Sequence, residues 1–358
     1  MFPRDGSAAK IAAVMLGLDP QTAATETIPT IAIAALFGGT SRERDAADRA
    51  VMAAAAGSGF MIVSGLPADV PLGPATRRAL LRIFELKEKE TRKLWRQKFA
   101  PDHANVYRGW FPLQEGHPTF KDGIDMGPDL AYGAASVQPG DPLCEPTPLP
   151  PEAALPGWRQ AAAAYYRAME RTGGALMRSI ARGLGLAENF FDSAFAKGGI
   201  STLRLIRYPV RDAARLGEDR FVLHQGERRY LTGREHVDSG FVTLLAQDGV
   251  EGLQARARDG SWLDVPPLEG ALAVNFGKVL ERWTGGVIKA TEHRVIGPGR
   301  ERFSIPFFYE PRVDAEIAPL PLPGAAQFQP FLYGDHLWAL TTRFVEFHGL
   351  EALRPPRG

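Results

Sequence analysis

The chain has 358 residues, of which 45% are hydrophobic and 23% charged, with a formal net charge of +1 and one cysteine. This is an ordinary composition for a globular protein long enough to bury a large core without staples. A near-neutral charge with no run of five or six like charges gives no field for steering, so neither nucleic acid nor a membrane surface is expected as a partner.

At the N-terminus, the apolar run from Ile11 to Leu18 follows Arg4 and Lys10 and faintly imitates a signal peptide. Asp5 and Asp19-Pro20 are the wrong flanks, so a surface helix ending before Pro20 is expected. No apolar stretch reaches the roughly 18 residues that a membrane span needs. Together with the lone Cys144, which can form no internal disulfide, this predicts a cytoplasmic protein.

Ile28 to Ala34 reads as a strand, 41–57 as a helix closed by Gly57, and Gly59 to Val63 as a buried strand. Residues 74–98 place Leu80, Ile83, Phe84 and Leu94 among many charges, the pattern of an amphipathic helix. Residues 100–155 are dense in Pro, Gly and Asp and read as long loop or short strands. Cys144 lies there in an exposed-looking proline-rich stretch, without the basic neighbour that activates a thiol. Residues 157–187 return to helix, with Tyr165, Tyr166, Met169, Leu176 and Ile180 on one side and a stop at Gly185. From about 200 onward, STLRLIRYP, FVTLLAQ, GLQARA, SWLDV, ALAVNF, EHRVIG and RFSIPFFYE alternate with turn residues. Short strands at such spacing predict a sandwich or barrel. A helix near 334–349 closes the chain.

Within that β-rich half, His236-Val237-Asp238 opens the second stretch. On a strand, residues i and i+2 share a face, so His236 and Asp238 can reach one ion while Val237 points away. His293, near the other end, supplies a second imidazole. Two imidazoles and one carboxylate leave adjacent positions open, the arrangement of non-haem Fe(II) oxygenases. A His-x-Asp pair alone arises by chance in roughly one such sequence in three. Support comes nine residues after His293, where Arg302-Phe303-Ser304 can aim a guanidinium and a hydroxyl at one carboxylate, with the phenol of Tyr208 as a third donor.

These residues resemble the 2-oxoglutarate/Fe(II) dioxygenases related to isopenicillin N synthase. LRLIRYP, EHVDSGFVTLLAQDGVEGLQ, GSWLDVPP, ALAVNFGKVLERWTGG, KATEHRV and ERFSIPFF occur in family order. IPTIAIAAL, GSGFMIVSGLP, FELKEKETRKLW, YRGWFP and KDGIDMG match the family's N-terminal segment more weakly, for a coverage of about residues 28–312. The resemblance implies a mainly β, α+β molecule whose distorted double-stranded β-helix (jelly roll) core is flanked by helices. It divides the chain into an N-terminal segment 28–130, connecting helices 157–196, a core 197–312, and a C-terminal helix and tail 313–358, all in one catalytic unit.

By the same resemblance, His236, Asp238 and His293 bind Fe(II), while Arg302, Ser304 and Tyr208 hold the distal carboxylate of 2-oxoglutarate. The family spends 2-oxoglutarate and O2, releasing succinate and CO2, to hydroxylate, desaturate or cyclise a small organic metabolite. The chain departs from the pattern at Ile206, where Asn is frequent, at Ser239, at Lys278, and at Thr30-Ile31-Ala32. Ile206 leaves open an oxidase that, like isopenicillin N synthase, does not use 2-oxoglutarate. More remote are a Zn hydrolase, since this donor set also suits zinc, and a non-catalytic jelly-roll binding protein. For the substrate pocket the candidates are Tyr107, Arg108, Trp110, His224, Phe241 and Phe308, together with Phe111. Their mixture of aromatics and arginine suggests a small organic molecule bearing an anionic group; the oligomeric state is not legible.

Overall fold

The β-like words of the second half become strands with little displacement in the computed structural model, which describes residues 27–114, 120–196, 199–297, 299–322, 327–344 and 346–357. The run at 11–18, expected to be a helix, lies outside the described residues. In chain order the strands are β1 (Thr30–Ala32), β2 (Phe60–Ser64), β3 (Gly109–Phe111), β4 (Asp122–Met126), β5 (Thr202–Tyr208), β6 (Phe221–His224) and β7 (Glu227–His236). They continue as β8 (Val242–Gln247), β9 (Leu253–Arg256), β10 (Trp262–Asp264), β11 (Leu272–Phe276), β12 (His293–Ile296) and β13 (Arg302–Tyr309). The main helices are α1 (Arg42–Ala56), α2 (Pro74–Leu81), α3 (Trp158–Gly183), α4 (Lys278–Trp283) and α5 (Tyr333–Thr341).

Eight strands form one sheet in the order β1-β2-β11-β8-β13-β5-β4-β3, and five form another in the order β10-β9-β12-β7-β6. Both sheets are curled, and together they make the double-stranded β-helix, with the cavity of interest between them. The N-terminal strands are not a separate layer. β2 pairs with β11, and β4 pairs with β5, so residues from both halves of the chain share one ladder.

Helix α3 covers the large sheet from outside. Its buried side carries Tyr165, Tyr166, Met169, Leu176 and Ile180, the 3.6-residue stripe read from the sequence. Tyr166 meets Phe307 edge to face at 5.0 Å, and Gly173 lies so close to Tyr309 that an added Cβ would stand 2.6 Å from its ring. A side chain at 173 would therefore push the helix off the sheet that carries the site. Helix α1 begins at Ser41, whose hydroxyl accepts the Arg44 amide at 3.1 Å, a cap worth about 1 kcal/mol.

Three expectations change. The single helix over 74–98 is instead α2, two 3-10 turns and the one-turn helix Glu88–Thr91, with extended backbone at Leu86 and Lys87. The charges from Glu85 to Lys93 leave no apolar stripe to continue, and the chain turns twice to bring Leu94 back into the core. Cys144 is buried, not exposed. The C-terminal tail folds over its turn, with Arg354 Nε donating to both oxygens of the buried Asp141 at 3.0 Å. The closing helix ends at Thr341 rather than near 349.

Candidate metal and co-substrate site

His236 ends β7 and His293 begins β12, and the two are directly opposed in the antiparallel register. Their side chains therefore rise from one face of the small sheet, with ring centroids 4.2 Å apart. Asp238 lies two residues beyond the end of β7, in the turn leading to β8, so a turn as well as strand alternation delivers it. That turn is clamped by the start of α4, where the Lys278 amide donates to the Asp238 carbonyl at 2.8 Å. Gly277 permits the approach, because an added Cβ would stand 2.2 Å from the Gly240 carbonyl.

The Asp238 Oδ1 atom stands 3.7 Å from His236 Nε2 and 3.8 Å from His293 Nε2, and the three ligand atoms all lie within 4.8 Å of one another. Each remaining donor is already fixed. His236 Nδ1 faces the Arg234 carbonyl at 2.8 Å and His293 Nδ1 the Thr291 carbonyl at 3.1 Å, which keeps the proton on Nδ1 and leaves both Nε2 lone pairs facing Asp238. Asp238 Oδ2 accepts from Thr243 Oγ1 at 2.6 Å and from Asn275 Nδ2 at 2.7 Å, so Oδ1 is the atom left to coordinate. Enclosure by the cavity walls, and then the neighbouring His293, pull the His236 imidazolium down to about 4. Burial alone would raise the Asp238 carboxyl, but the two histidines and its two hydrogen bonds outweigh that and lower it. The set thus offers two imidazole Nε2 atoms and one carboxylate oxygen, a fit to a divalent cation.

Arg302 opens β13 directly across from Tyr208 on β5, and Ser304 pairs across from Ile206. All four line the same cavity as the triad. Arg302 is 1% exposed, yet its hydrogen bond to Gln247 is a long one, from Nη2 to Oε1 at 3.4 Å. Nε and Nη1 are buried without a partner among the described residues. Burial lowers the guanidinium's pKa, opposed by Tyr208 and Asp248. A buried cation with open donors is costly in isolation and is the form in which a site awaits an anion.

The cavity encloses about 570 Å³ between the sheets. Of the residues expected in a substrate pocket, Tyr107, Phe111, Phe241 and Phe308 line it, whereas Arg108, Trp110 and His224 do not. Arg108 is buried elsewhere, donating to Thr202 Oγ1 at 2.5 Å and to the Ile200 carbonyl at 2.8 Å. Trp110 alternates with Phe111 on β3 and turns to the other side, against Phe84 at 5.5 Å. His224, on the edge strand β6, engages Asp264 at 3.0 Å.

Sequence reasoning passes over Thr243 and Asn275, which hold Asp238, and Arg96, Arg204 and Glu310, which line the far end of the cavity. Alternation gives a signal for two of them: Arg204 shares the face of Ile206 and Tyr208, and Glu310 continues the face of Arg302, Ser304, Pro306 and Phe308.

Comparison with known proteins agrees with this geometry. The family model described as the 2OG-Fe(II) oxygenase superfamily matches residues 205–311. Isopenicillin N synthase of Streptomyces clavuligerus is 30% identical over 332 residues, covering 91% of this chain and 95% of that protein. A 2-oxoglutarate-Fe(II) type oxidoreductase of Aspergillus fumigatus is 30% identical over 290 residues, with 78% and 81% covered. Among solved structures, a full-length Neurospora crassa protein in complex with alpha-KG and 5-formyluracil superposes with a TM-score of 0.72 at 25% identity, covering 88% of this chain and 96% of that one. The chain belongs to the 2OG-Fe(II) oxygenase superfamily, and is an oxidoreductase that uses Fe(II), 2-oxoglutarate and O2 to oxidise a small organic molecule.

Proposed function

We propose that His236, Asp238 and His293 are the iron ligands of this 2-oxoglutarate-dependent dioxygenase, and that Arg302, Ser304 and Tyr208 receive the distal carboxylate of the co-substrate. The single observation that carries this is the Arg302 guanidinium, buried on the triad's cavity with Nε and Nη1 unpartnered among the described residues. When bound, the metal and 2-oxoglutarate supply the oxidising power, and the family's balance of succinate and CO2 follows from it.

The chain's own work is orientation. Arg302 would fix the far carboxylate by charge-assisted hydrogen bonds, with the Ser304 and Tyr208 hydroxyls completing the cradle. Ile206, opposite Ser304 and packed with Phe111 and Tyr208, would wall the co-substrate's methylenes and exclude water. Thr243 and Asn275 would hold Asp238 so that one oxygen alone coordinates.

Anaerobic reconstitution with Fe(II) and 2-oxoglutarate tests this. A weak visible charge-transfer band is expected in the wild type, and in Arg302→Ala it should appear only at far higher 2-oxoglutarate. No band in the wild type, or an unshifted titration in Arg302→Ala, would overturn the assignment. Succinate formation that requires added 2-oxoglutarate separates this chemistry from an oxidase that draws all its electrons from the substrate.

A further inference from the structure

We infer that the end of the cavity away from Arg302 is a second anion-binding subsite, built on Arg96 and Arg204, that takes the carboxylate of an organic acid with an apolar body. This names the substrate class for the site proposed above and rests on 2-oxoglutarate occupying the Arg302 end.

Strand β5 carries both ends. Tyr208, Ile206 and Arg204 alternate onto the cavity face, so Arg204 stands about 13 Å along the strand from Tyr208, at roughly 3.3 Å per residue. Arg96 reaches the same end from the N-terminal half and is 1% exposed. The two guanidiniums share one carboxylate. Arg204 Nε donates to Asp125 Oδ1 at 2.5 Å and its Nη2 to Oδ2 at 2.8 Å, and Arg96 Nη2 donates to that same Oδ2. Arg96 Nε is buried with no partner among the described residues. Aromatic faces hold both planes: Arg96 lies over Phe111 at 5.1 Å and Phe347 at 4.7 Å, and Arg204 over Phe111 and Phe308, each at 5.4 Å. A guanidinium pair so fixed loses little freedom on meeting a planar oxyanion.

Charge balance favours an anion. Apart from Arg302, the triad and these two arginines, the charged side chains lining the cavity are Lys121, Arg234, Arg343, Glu235, Glu310 and Glu346. With Arg96 and Arg204 that makes five cations against the four carboxylates of Asp125, Glu235, Glu310 and Glu346. Burial pushes the Glu310 carboxyl up to about 7, so the positive surplus grows as that group takes a proton. The same cavity that holds this cluster and the triad is also lined by the apolar side chains Phe241, Phe308, Leu337 and Phe344. A carboxylate seated at Arg96 and Arg204 would therefore extend a hydrocarbon body back toward the metal.

The test uses the full chain loaded anaerobically with Fe(II) and 2-oxoglutarate. It is titrated with phenylacetate, 3-phenylpropionate and 4-phenylbutyrate, and in parallel with their uncharged amides, followed by calorimetry and by the charge-transfer band. At least one acid should bind about tenfold or more tighter than its amide, as expected for hydrogen bonds to a charged group. Arg204→Gln should erase that preference and Arg204→Lys should restore part of it, while the 2-oxoglutarate affinity stays unchanged in both. Both arginines bond the buried Asp125, so urea midpoints are measured on every variant. Arg204 is the less buried of the two and its replacement leaves Arg96 on Asp125, so the Arg204 variants, compared on their folded fraction, carry the test. Acids that bind no better than amides, acids that fail to bind while 2-oxoglutarate binds normally, or a preference that survives Arg204→Gln would each overturn the subsite. Failure of 2-oxoglutarate itself to bind would instead overturn the preceding proposal.

Discussion

At the Arg302 end of the cavity the functional side chains stand on neighbouring strands in register, Arg302 across from Tyr208 and Ser304 across from Ile206. At the Arg204 end they are gathered from far apart in the chain: Arg96 after a 3-10 turn, Phe111 on an edge strand, Glu310 just past β13, and Phe344 and Phe347 beyond α5. Backbone hydrogen bonds thus set the geometry of the first end, whereas packing between separate segments sets the second. Loops and termini can be rewritten without disturbing a ladder. On the assignments proposed above, the ladder holds the co-substrate end fixed while the substrate end is free to change.

The contrast predicts graded failures, beginning with the metal. Asp238→Ala should abolish 2-oxoglutarate turnover and weaken Fe(II) binding well beyond the roughly 10–100-fold that losing an outer partner costs. Calorimetric titration of Fe(II) under nitrogen measures this, and wild-type affinity in the variant would remove Asp238 from the site. Next, Arg302→Ala leaves the co-substrate's far carboxylate without its cation. About 2 kcal/mol or more is at stake, so the Kd for 2-oxoglutarate should rise about 30-fold or more with little change for iron.

Glu310→Gln probes the other end through stability. Burial raises the Glu310 carboxyl to about 7 in the folded protein, against an ordinary value of 4.5. The folded state therefore keeps its proton through a window in which the unfolded chain has released it, and stability falls as pH rises through that window. The loss reaches up to about 3 kcal/mol on the alkaline side. Gln keeps the shape without the charge, so urea midpoints at pH 5 and pH 8 should differ less in the variant than in the wild type. An equal decline in both proteins would place that titration elsewhere. Thr243→Val is milder. It removes one of two hydrogen bonds to Asp238 Oδ2, leaves the Asn275 bond in place, and should weaken iron binding toward the lower edge of the 10–100-fold range.

The same contrast explains what is legible in the sequence. His236-x-Asp238, His293 and Arg302-x-Ser304 can be read because a period of two puts neighbours on one face, and the strand words can be read because their apolar runs are bounded by turns. The β6–β7 hairpin cannot, although it carries His236. β7 is charged on both faces and β6 is only four residues long, so no alternation marks the hairpin, and its clearest local sign is the Gln225-Gly226 turn, with φ of 53° and 79°, values that suit a two-residue hairpin. Arg96 is one of many charges between Glu85 and Lys98, and only tertiary structure, by bringing Asp125 beside it, distinguishes it. Cys144 misleads for a related reason. The proline-rich stretch has the composition of a surface loop, and the tail that buries it arrives through Arg354, more than 200 residues later. That burial, and then Asp141, push the thiol up to about 12, which leaves no reactive thiolate.

The smallest effect separates residues that line the cavity from those that only neighbour it in sequence. His224 bonds Asp264 on the outer hairpin and is absent from the cavity wall, so His224→Ala should leave KM within about twofold and stability within about 1 kcal/mol, as for a partly exposed pair. Arg108→Ala is a misleading control. It strips buried partners from Thr202 and the Ile200 carbonyl and lowers activity by unfolding the chain, so KM must be measured on the folded fraction. A KM increase of more than about twofold in His224→Ala, at unchanged stability, would extend the substrate site out to the β6–β7 hairpin. The Arg204 end would then be only half of the recognition surface.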